Sequence, residues 1–235
     1  MYMKKRVLIL VLICLALTGV QAQTRDSVDF APHWFVQPQV GVGYHVGEAK
    51  FSKLLSPAAQ LNAGRQFTPE YGLRFGLSGW EVRNWQAHPI GEYKWNYVQT
   101  TLDVTFSLPN LIAGYKANRK WNVYAVAGIA LNIEFNNDDA NALSAINESA
   151  GVPALANGGF QHLWNGTKVR PGGRLGLGFE YDLSKCVALG LEYDANALPD
   201  EWNSKGGKHH SPDWQQNLFL GVKVSFGKKK KELTK

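Results

Sequence analysis

The sequence predicts an all-β fold, an eight-stranded antiparallel up-and-down transmembrane barrel with short periplasmic turns and long extracellular loops. Eight segments of about ten residues alternate apolar with polar or small side chains, which is the period of a β-strand with two different faces. The connections between these segments alternate between short and long. Strands of this length exceed those of most soluble sheets and match the ~9 to 11 residues that cross a bilayer.

The amino terminus predicts export. Three cationic residues at 4–6 precede an apolar run at 7–17 and the small-residue motif VQAQ at 20–23. This arrangement is typical of a secretory signal peptide, here cleaved after Ala22. The expected domains are a signal peptide at 1–22, a barrel domain at 23–227 and a basic periplasmic tail at 228–235.

The net charge of +6 lies mostly at the two ends of the chain. The signal peptide contributes three positive charges and the tail contributes five lysines against Glu232, so the barrel domain is nearly neutral. It lacks the basic surface that nucleic acid requires, and no nucleic-acid partner is predicted. Removal of the signal peptide also removes Cys14, and Cys186 then has no partner for an internal disulfide.

The strands differ in how clearly they alternate. The clearest is 97–108, whose sequence YVQTTLDVTFSL alternates between its two faces. The segment 121–132 is apolar on both faces, and we assign Val123 and the odd-numbered residues after it to the outside because Asn122 and Asn132 then point inward. The other predicted strands are 34–47, 58–68, 71–81, the two strands of the hairpin around 175–194, and 214–226.

The connections alternate in length along the chain. Those after the second and sixth strands are tight, with the sequences TPEYG and DLSK, and the one after the fourth strand, PNLIAGYKANRK, is intermediate. The long connections are 46–57, 82–93, 133–170 and 195–213. This alternation is typical of a membrane barrel with its short turns on one side and its long loops on the other.

The hairpin LGLGFEYDLSKCVALGLEYD at 175–194 alternates apolar residues with glycines and glutamates. This alternation alone fits either a soluble or a membrane barrel, and the loop asymmetry and the even strand count favour the membrane barrel. In a membrane barrel its leucines turn outward, and its glutamates turn into a lumen just wide enough to be filled by side chains. Three cationic and three anionic residues share this inward parity: Arg74, Asp103, Arg174, Glu180, Glu192 and Lys223. We expect a lumenal network of ion pairs, because an unpaired buried charge costs several kcal/mol. Such a network acts either as a structural plug or as a gate in an ion path.

Two residues conflict with a simple barrel. Pro38 lies within the first strand, although a closed barrel has no free edge for a residue without an N–H, so the strand is expected to begin after Pro38 or to bulge there. Arg65 falls on the outer face of the second strand, which is tolerable only close to the membrane interface.

The chain resembles the eight-stranded outer-membrane barrels of the outer membrane protein A and X type, often described as porin-family or outer membrane beta-barrel domain proteins. The resemblance rests on the strand count, the loop asymmetry, the glycine-interleaved hairpin at 173–194 and the segment NLIAGYKANRKWNVYAVAGIA at 110–130, which is similar to a periplasmic turn of such barrels. It implies a monomer in the Gram-negative outer membrane, in contact with lipid and lipopolysaccharide, without a cofactor. Many protein A relatives continue into a periplasmic peptidoglycan-binding domain, which is not expected here.

The last strand resembles the signal that the barrel-insertion machinery reads in this family. Gly221, Val224 and Phe226 fit its spacing. Phe219 stands where a polar residue is expected, and Phe226 is followed by nine more residues. The insertion machinery is therefore an expected partner.

Several loop residues are candidates for chemistry or binding. His209 and Ser211 faintly resemble the His-x-Ser pair of outer-membrane lipid A deacylases, and His209, His210 and Asp213 could be read as metal ligands, but a polar surface loop explains all of them. No catalytic, metal or cofactor site is therefore assigned. The loop 133–170 combines acidic residues, a short helix around 140–149 and the aromatic-rich GGFQHLWNGT, and is the expected region for an extracellular ligand.

Three functions are consistent with these observations. The leading hypothesis is a non-enzymatic outer-membrane barrel that supports envelope integrity and presents surface loops for adhesion or host contact. The alternative is a narrow ion or small-solute pore, which needs a water path through the charged lumen. The third is a lipid-modifying outer-membrane enzyme.

Overall fold

The computed structural model describes residues 30–46, 50–87, 90–149, 160–205 and 212–227. The predicted signal peptide, the lysine tail, and the candidate residues His209, His210 and Ser211 lie outside the described residues. The signal peptide, the tail and the enzyme hypothesis that used His209 and Ser211 therefore stay predictions.

The chain forms a closed eight-stranded barrel, which confirms the predicted fold class. Each strand pairs antiparallel with the next along the chain, and the last pairs with the first, so that no sheet edge is left unpaired. The strands are β1 (His33–His45), β2 (Leu55–Gln66), β3 (Tyr71–Ala87), β4 (Ile90–Ser107), β5 (Trp121–Phe135), β6 (Lys168–Asp182), β7 (Val187–Leu198) and β8 (Asp213–Phe226).

Within the described ranges, short helical segments occupy three of the connections. The helix α1 (Leu108–Ala113) lies in the turn between β4 and β5, and α2 (Asp138–Ser149) lies in the long loop after β5. A single 3-10 turn covers Phe51–Lys53. Among the described residues, no helix is both long and apolar enough to cross a membrane.

The faces of the strands follow the predicted parity, except at Trp80, which is exposed at an inward position of β3. Leu175 and Leu177 are 61% and 56% exposed on the outer surface, whereas Glu192 is fully buried in the lumen. The strand β5, whose sequence is apolar on both faces, also agrees, because Ile129 is exposed and Asn132 is buried. The outer surface is therefore an apolar band of the kind that lipid covers.

The strand β1 runs through Pro38 without a break, so neither expectation for this residue is correct. Val36 pairs with Val224 and Gln39 with Gly221 in the same register, which excludes a bulge. β1 forms no register pair with β8 at Gln37 and Pro38, while the ladder with β2 continues past both. The missing N–H of proline is accommodated as a local gap in the seam between β1 and β8.

Close backbone approach also marks this seam. A Cβ added to Gly41 would overlap the carbonyl oxygen of Leu218, and one added to Gly221 would overlap that of Pro38. Glycine is therefore the residue that lets the first and last strands approach each other at these two positions.

Arg65 lies one residue before the end of β2, on the outer face. Its guanidinium is 5.4 Å from the ring centre of Trp34 and 5.5 Å from that of Phe67. These aromatic neighbours and the nearby strand end place Arg65 at the periplasmic interface, where a long cationic side chain can reach water.

The segment 82–93 is not the loop that the sequence predicted. β3 and β4 stay paired from Tyr71 opposite Phe106 to Ala87 opposite Ile90, so this segment is the end of a hairpin. The prediction failed because the outward positions near the hairpin end are charged, as at Arg83. The loop after β5 is likewise shorter than predicted and covers 136–167.

Candidate functional site: the filled lumen and the extracellular cap

Arg74 is the centre of the lumen. Its Nε donates to Oδ2 of Asp103 at 3.0 Å, and its two terminal nitrogens donate to the two carboxylate oxygens of Glu192 at 2.7 and 2.6 Å. All three side chains are at most 1% exposed. A two-pronged arginine–carboxylate pair with good geometry is among the strongest polar contacts in proteins.

Arg174 extends this cluster towards the extracellular side. Its guanidinium donates to Asp194, to Glu192 at 3.3 Å and to Oε1 of Gln60 at 2.6 Å. It also lies 3.9 Å from Asp103. The central cluster therefore holds two arginines and three carboxylates, and one of these carboxylates, Asp194, was not among the sequence candidates.

Neutral residues complete the central cluster. The hydroxyl of Tyr124 donates to Glu192 at 2.5 Å, and the amide of Gln60 donates to Glu192 at 3.2 Å and to Gln39 at 2.9 Å. Asn62 donates to the same oxygen of Gln39 at 2.8 Å. These contacts satisfy the carboxylate of Glu192 almost completely, as a buried charge requires.

The other two sequence candidates lie apart from the central cluster. The ammonium group of Lys223 donates to both oxygens of Glu180, at 3.0 and 3.2 Å, and lies 4.3 Å from the ring centre of Phe35. Beside this pair, in the periplasmic half of the lumen, is a cavity of about 10 Å³. That volume is sufficient for about one water molecule.

A further ion pair lies in the extracellular half of the lumen. Glu134 at the end of β5 accepts from Arg170 at the start of β6, and both side chains are buried. Sequence reasoning missed this pair because both residues fell within the segment predicted as a loop. It missed Asp194 although the residue shares the inward parity of Glu192, two positions earlier on the same strand.

Glycines make room for the lumenal charges. A Cβ added to Gly128 would overlap the carboxylate of Asp103, and one added to Gly176 would overlap that of Asp194. The glycine-interleaved strands therefore match the size of the charged groups that they face.

The described parts of the extracellular loops fold over the mouth of the barrel and form what we call the cap. The cap consists of α2, the segments 160–167 and 199–205, and the inner face of the β3–β4 hairpin end. Its buried cluster contains Val82, Tyr93, Trp95, Tyr97, Ala140, Phe160, Trp164, Leu198 and Trp202. Aromatic side chains of this kind bury much apolar area each.

Trp202 is the central side chain of the cap. It is fully buried, and its ring centre lies 5.1 Å from that of Trp95, 5.2 Å from His45 and 6.1 Å from Tyr97. Because His45 and Tyr97 belong to barrel strands, these contacts join the cap to the barrel.

Hydrogen bonds tie the two long loops to each other. The side-chain amide of Asn137 donates to the carbonyl of Trp164 and to the hydroxyl of Ser204, each at 3.0 Å. The backbone N–H of His162 donates to the carbonyl of Ser204 at 3.2 Å. The hydroxyl of Tyr93 donates to the carbonyl of Asn203 at 2.8 Å. The cap is therefore a specific tertiary structure.

Charged groups cover the outside of the hairpin, beyond the apolar band. Partial burial disfavours ionisation of Glu81, but hydrogen bonds from Arg83 and Lys94 outweigh it and hold the pKa of Glu81 below its usual value. Asp138 and Asp139 at the start of α2 are also exposed. The extracellular surface thus presents both signs of charge.

The residues that resemble an assembly signal lie on β8. Val224 and Phe226 are on the outer face, and Phe226 pairs with Trp34 of β1 near the periplasmic end. Phe219, at the unexpected position, is fully buried in the lumen. Recognition by the insertion machinery stays a prediction.

Of the three residues considered as metal ligands, only Asp213 lies in the described part of the chain, and its carboxylate forms hydrogen bonds within the protein. Asp213 accepts from the backbone N–H and side-chain amide of Asn203 at 3.1 and 2.7 Å and so fixes the loop 199–205. Within the described ranges, no group of three or more histidine, cysteine or acidic side chains is arranged to hold a metal ion. Cys186 is exposed in the turn between β6 and β7.

Comparison with known proteins gives the same fold. Neisserial surface protein A has a TM-score of 0.51 at 12% identity, with 84% of this chain and 100% of that chain covered. A major outer membrane protein from Thermus thermophilus has a TM-score of 0.50 at 13% identity, covering 84% and 100% of the two chains. At these identities the likeness shows the fold alone.

A sequence relative and a family model are more informative. Outer membrane protein 40 of Porphyromonas gingivalis is 24% identical over 203 residues, which are 83% of this chain. The chain spans about half, 47%, of the length of that relative. The model of the outer membrane protein beta-barrel domain matches residues 10–226, and the chain belongs to that family of outer-membrane barrels.

Proposed function

We propose that this protein is a non-conducting, non-enzymatic outer-membrane barrel that supports envelope integrity and presents its cap for adhesion or host contact. The observation that carries the proposal is the filled lumen beneath a folded cap. Arg74, Asp103 and Glu192 occupy the middle of the barrel with almost no exposed surface, and the cavity beside Glu180 has room for about one water molecule.

The cap supports the binding part of the proposal. Its aromatic cluster and inter-loop hydrogen bonds give the extracellular surface a defined shape, which limits the entropy lost when a ligand binds. The exposed Asp138 and Asp139 and the hairpin cations add charge that a ligand can complement.

The proposal that the barrel does not conduct ions is tested by measuring current in planar bilayers. The folded barrel, verified by the heat-dependent gel shift, is expected to give no discrete openings where a large-pore porin in the same bilayer conducts. Reproducible openings would overturn the closed-barrel proposal.

A narrow pore is the second candidate function. The observation in its favour is the polar lumen, which has ion pairs along its length and a small cavity beside Lys223. A pore requires these pairs to rearrange, so steady voltage-dependent current from the unmodified barrel would support it.

The binding part is tested by replacing residues 137–166 with a short Gly-Ser connection. Cells that display the trimmed barrel should lose adherence to immobilised extracellular-matrix proteins, while the gel shift of the barrel is retained. Adherence equal to that of the unmodified protein would exclude this loop as the binding surface.

A further inference from the structure

An open groove lies at the periplasmic end of the barrel, against α1. Its volume is about 650 Å³, within the range of ligand-binding clefts. Apolar side chains of α1 and the first residue of β5 line it: Leu108, Ile112, Ala113 and Trp121. Lys116 and Arg119 lie at the same groove and are its two cationic residues.

The apolar side chains of α1 are poorly covered by the protein. Ile112 is 86% exposed, and Leu111 and Trp121 are about half exposed. The helix is held in place from the other side, because the side chain of Asn110 donates to the carbonyl of Pro69 at 2.7 Å. It therefore holds an apolar surface beside the outer face of the barrel, at the level where β4 ends.

Arg119 is positioned without being neutralised. Its terminal nitrogens donate to the side-chain oxygen of Asn110 at 2.6 Å and to the carbonyl of Gly114 at 3.2 Å, and both acceptors are uncharged. Its guanidinium lies 5.7 Å from the ring centre of Trp121. In the part of the chain that the structure describes, neither Arg119 nor Lys116 forms an ion pair with a carboxylate.

We propose that this groove binds one anionic glycerophospholipid of the periplasmic leaflet. The phosphate lies between Lys116 and Arg119, and an acyl chain lies along Ile112 and Trp121. The charge of the two residues complements an anionic headgroup, and the apolar lining lies where the barrel meets lipid. A second copy of this chain would not supply the same pairing of negative charge with a long apolar chain.

The test is native mass spectrometry of the folded barrel in a neutral detergent, titrated with phosphatidylglycerol. The double variant Lys116→Gln/Arg119→Gln is compared with Arg83→Gln/Lys94→Gln, which removes the same charge from the extracellular hairpin. Two cations near a bilayer surface are worth about 30-fold in affinity for anionic lipid, so the first variant should lose about 10- to 30-fold and the second little. Equal losses in the two variants would overturn the proposal.

Other ligands and a further variant test whether the bound molecule is an anionic lipid. Phosphatidylcholine should bind weakly, and glycerol 3-phosphate should fail to compete; strong binding of either would contradict an anionic lipid site. The variant Ile112→Asn changes an exposed side chain and should weaken phosphatidylglycerol binding while the gel shift stays normal. A protein dimer that disappears in the same variants would assign the groove to a second copy and overturn the lipid assignment.

Discussion

At the residue scale, Glu192 is the acceptor that joins the central cluster. It receives hydrogen bonds from Arg74, Arg174, Tyr124 and Gln60, each from a different strand. A carboxylate bound in this way connects opposite walls of the barrel through charge-assisted contacts. Without the charge of Glu192, the positive charges of Arg74 and Arg174 are balanced by only two buried carboxylates, those of Asp103 and Asp194.

The variant Glu192→Gln keeps the side-chain volume but removes the charge. Breaking one partner of a buried pair costs about 3–5 kcal/mol, so the free energy of unfolding should fall by about that amount. Urea unfolding in lipid vesicles, followed by tryptophan fluorescence, measures it. Glu92→Gln on the hairpin, where the side chain is 45% exposed, is the matched control and should change little.

A second residue-scale prediction concerns the seam between the first and last strands. Gly41→Ala places a Cβ against the carbonyl of Leu218, so closure should be impaired and the folded gel band should weaken or vanish. Gly173→Ala is the matched control, because a Cβ there meets no atom within 4 Å. A normal gel shift in Gly41→Ala would show that the seam can widen without loss of closure.

At the element scale, the alternation of apolar and polar side chains predicted each strand where lipid lies outside it. The prediction failed above the membrane, where both faces become polar or aromatic, as at Arg83 and Glu134. The alternation also did not predict the position of Trp80. This side chain is 57% exposed, although Ser78 and Val82, two positions before and after it on the same strand, are buried. A positive φ of 153° at this residue breaks the alternation, and side-chain identity alone does not reveal it.

The cap could be predicted only in part. The acidic start and the helix at 140–149 were readable, and α2 begins two residues earlier. The contact of Trp202 with His45 joins residues far apart in the sequence, and no local pattern predicts such a contact. Partners of the lumenal charges such as Gln60 and Tyr124 were equally unpredictable, because parity gives the face and not the neighbour.

The variant Trp202→Ala should loosen the cap and leave the barrel intact. Truncation of a buried tryptophan costs about 3–5 kcal/mol, and the cavity that it leaves lies inside the cap. Hydrogen exchange in 138–149 and 160–167 should therefore accelerate, while exchange in β5 to β7 stays slow. Ile146→Ala, at an exposed position of α2, is the control; equal acceleration in both variants would contradict a central role for Trp202.

At the scale of the whole molecule, two layers of side chains fill the barrel: the apolar cluster of the cap, and the ion pairs beneath it. The cap is stabilised by burial of apolar side chains, and the layer beneath it is stabilised by ion pairs. Only the ion pairs lie within the lumen. Barrel closure satisfies the strand backbones without help from the loops.

Because the cap and the lumenal ion pairs are separate layers, the effect of each on ion conductance can be predicted. A barrel without residues 137–166 should remain silent in planar bilayers, because Arg74 and its partners still fill the lumen. Adding Arg74→Ala and Glu192→Ala to the trimmed barrel should produce small openings, since two large side chains are then missing. Current from the trimmed barrel alone would show that the cap, and not the ion pairs, is the seal.

The gap at Pro38 has a mechanical consequence. The β1–β8 ladder lacks register pairs at Gln37 and Pro38, so resistance to shear is not uniform around the circumference. Tension applied across the β1–β8 seam should therefore separate these two strands first at Gln37 and Pro38. A single-molecule pulling trace would then start with the release of β1, and Pro38→Ala would raise the force of that first step.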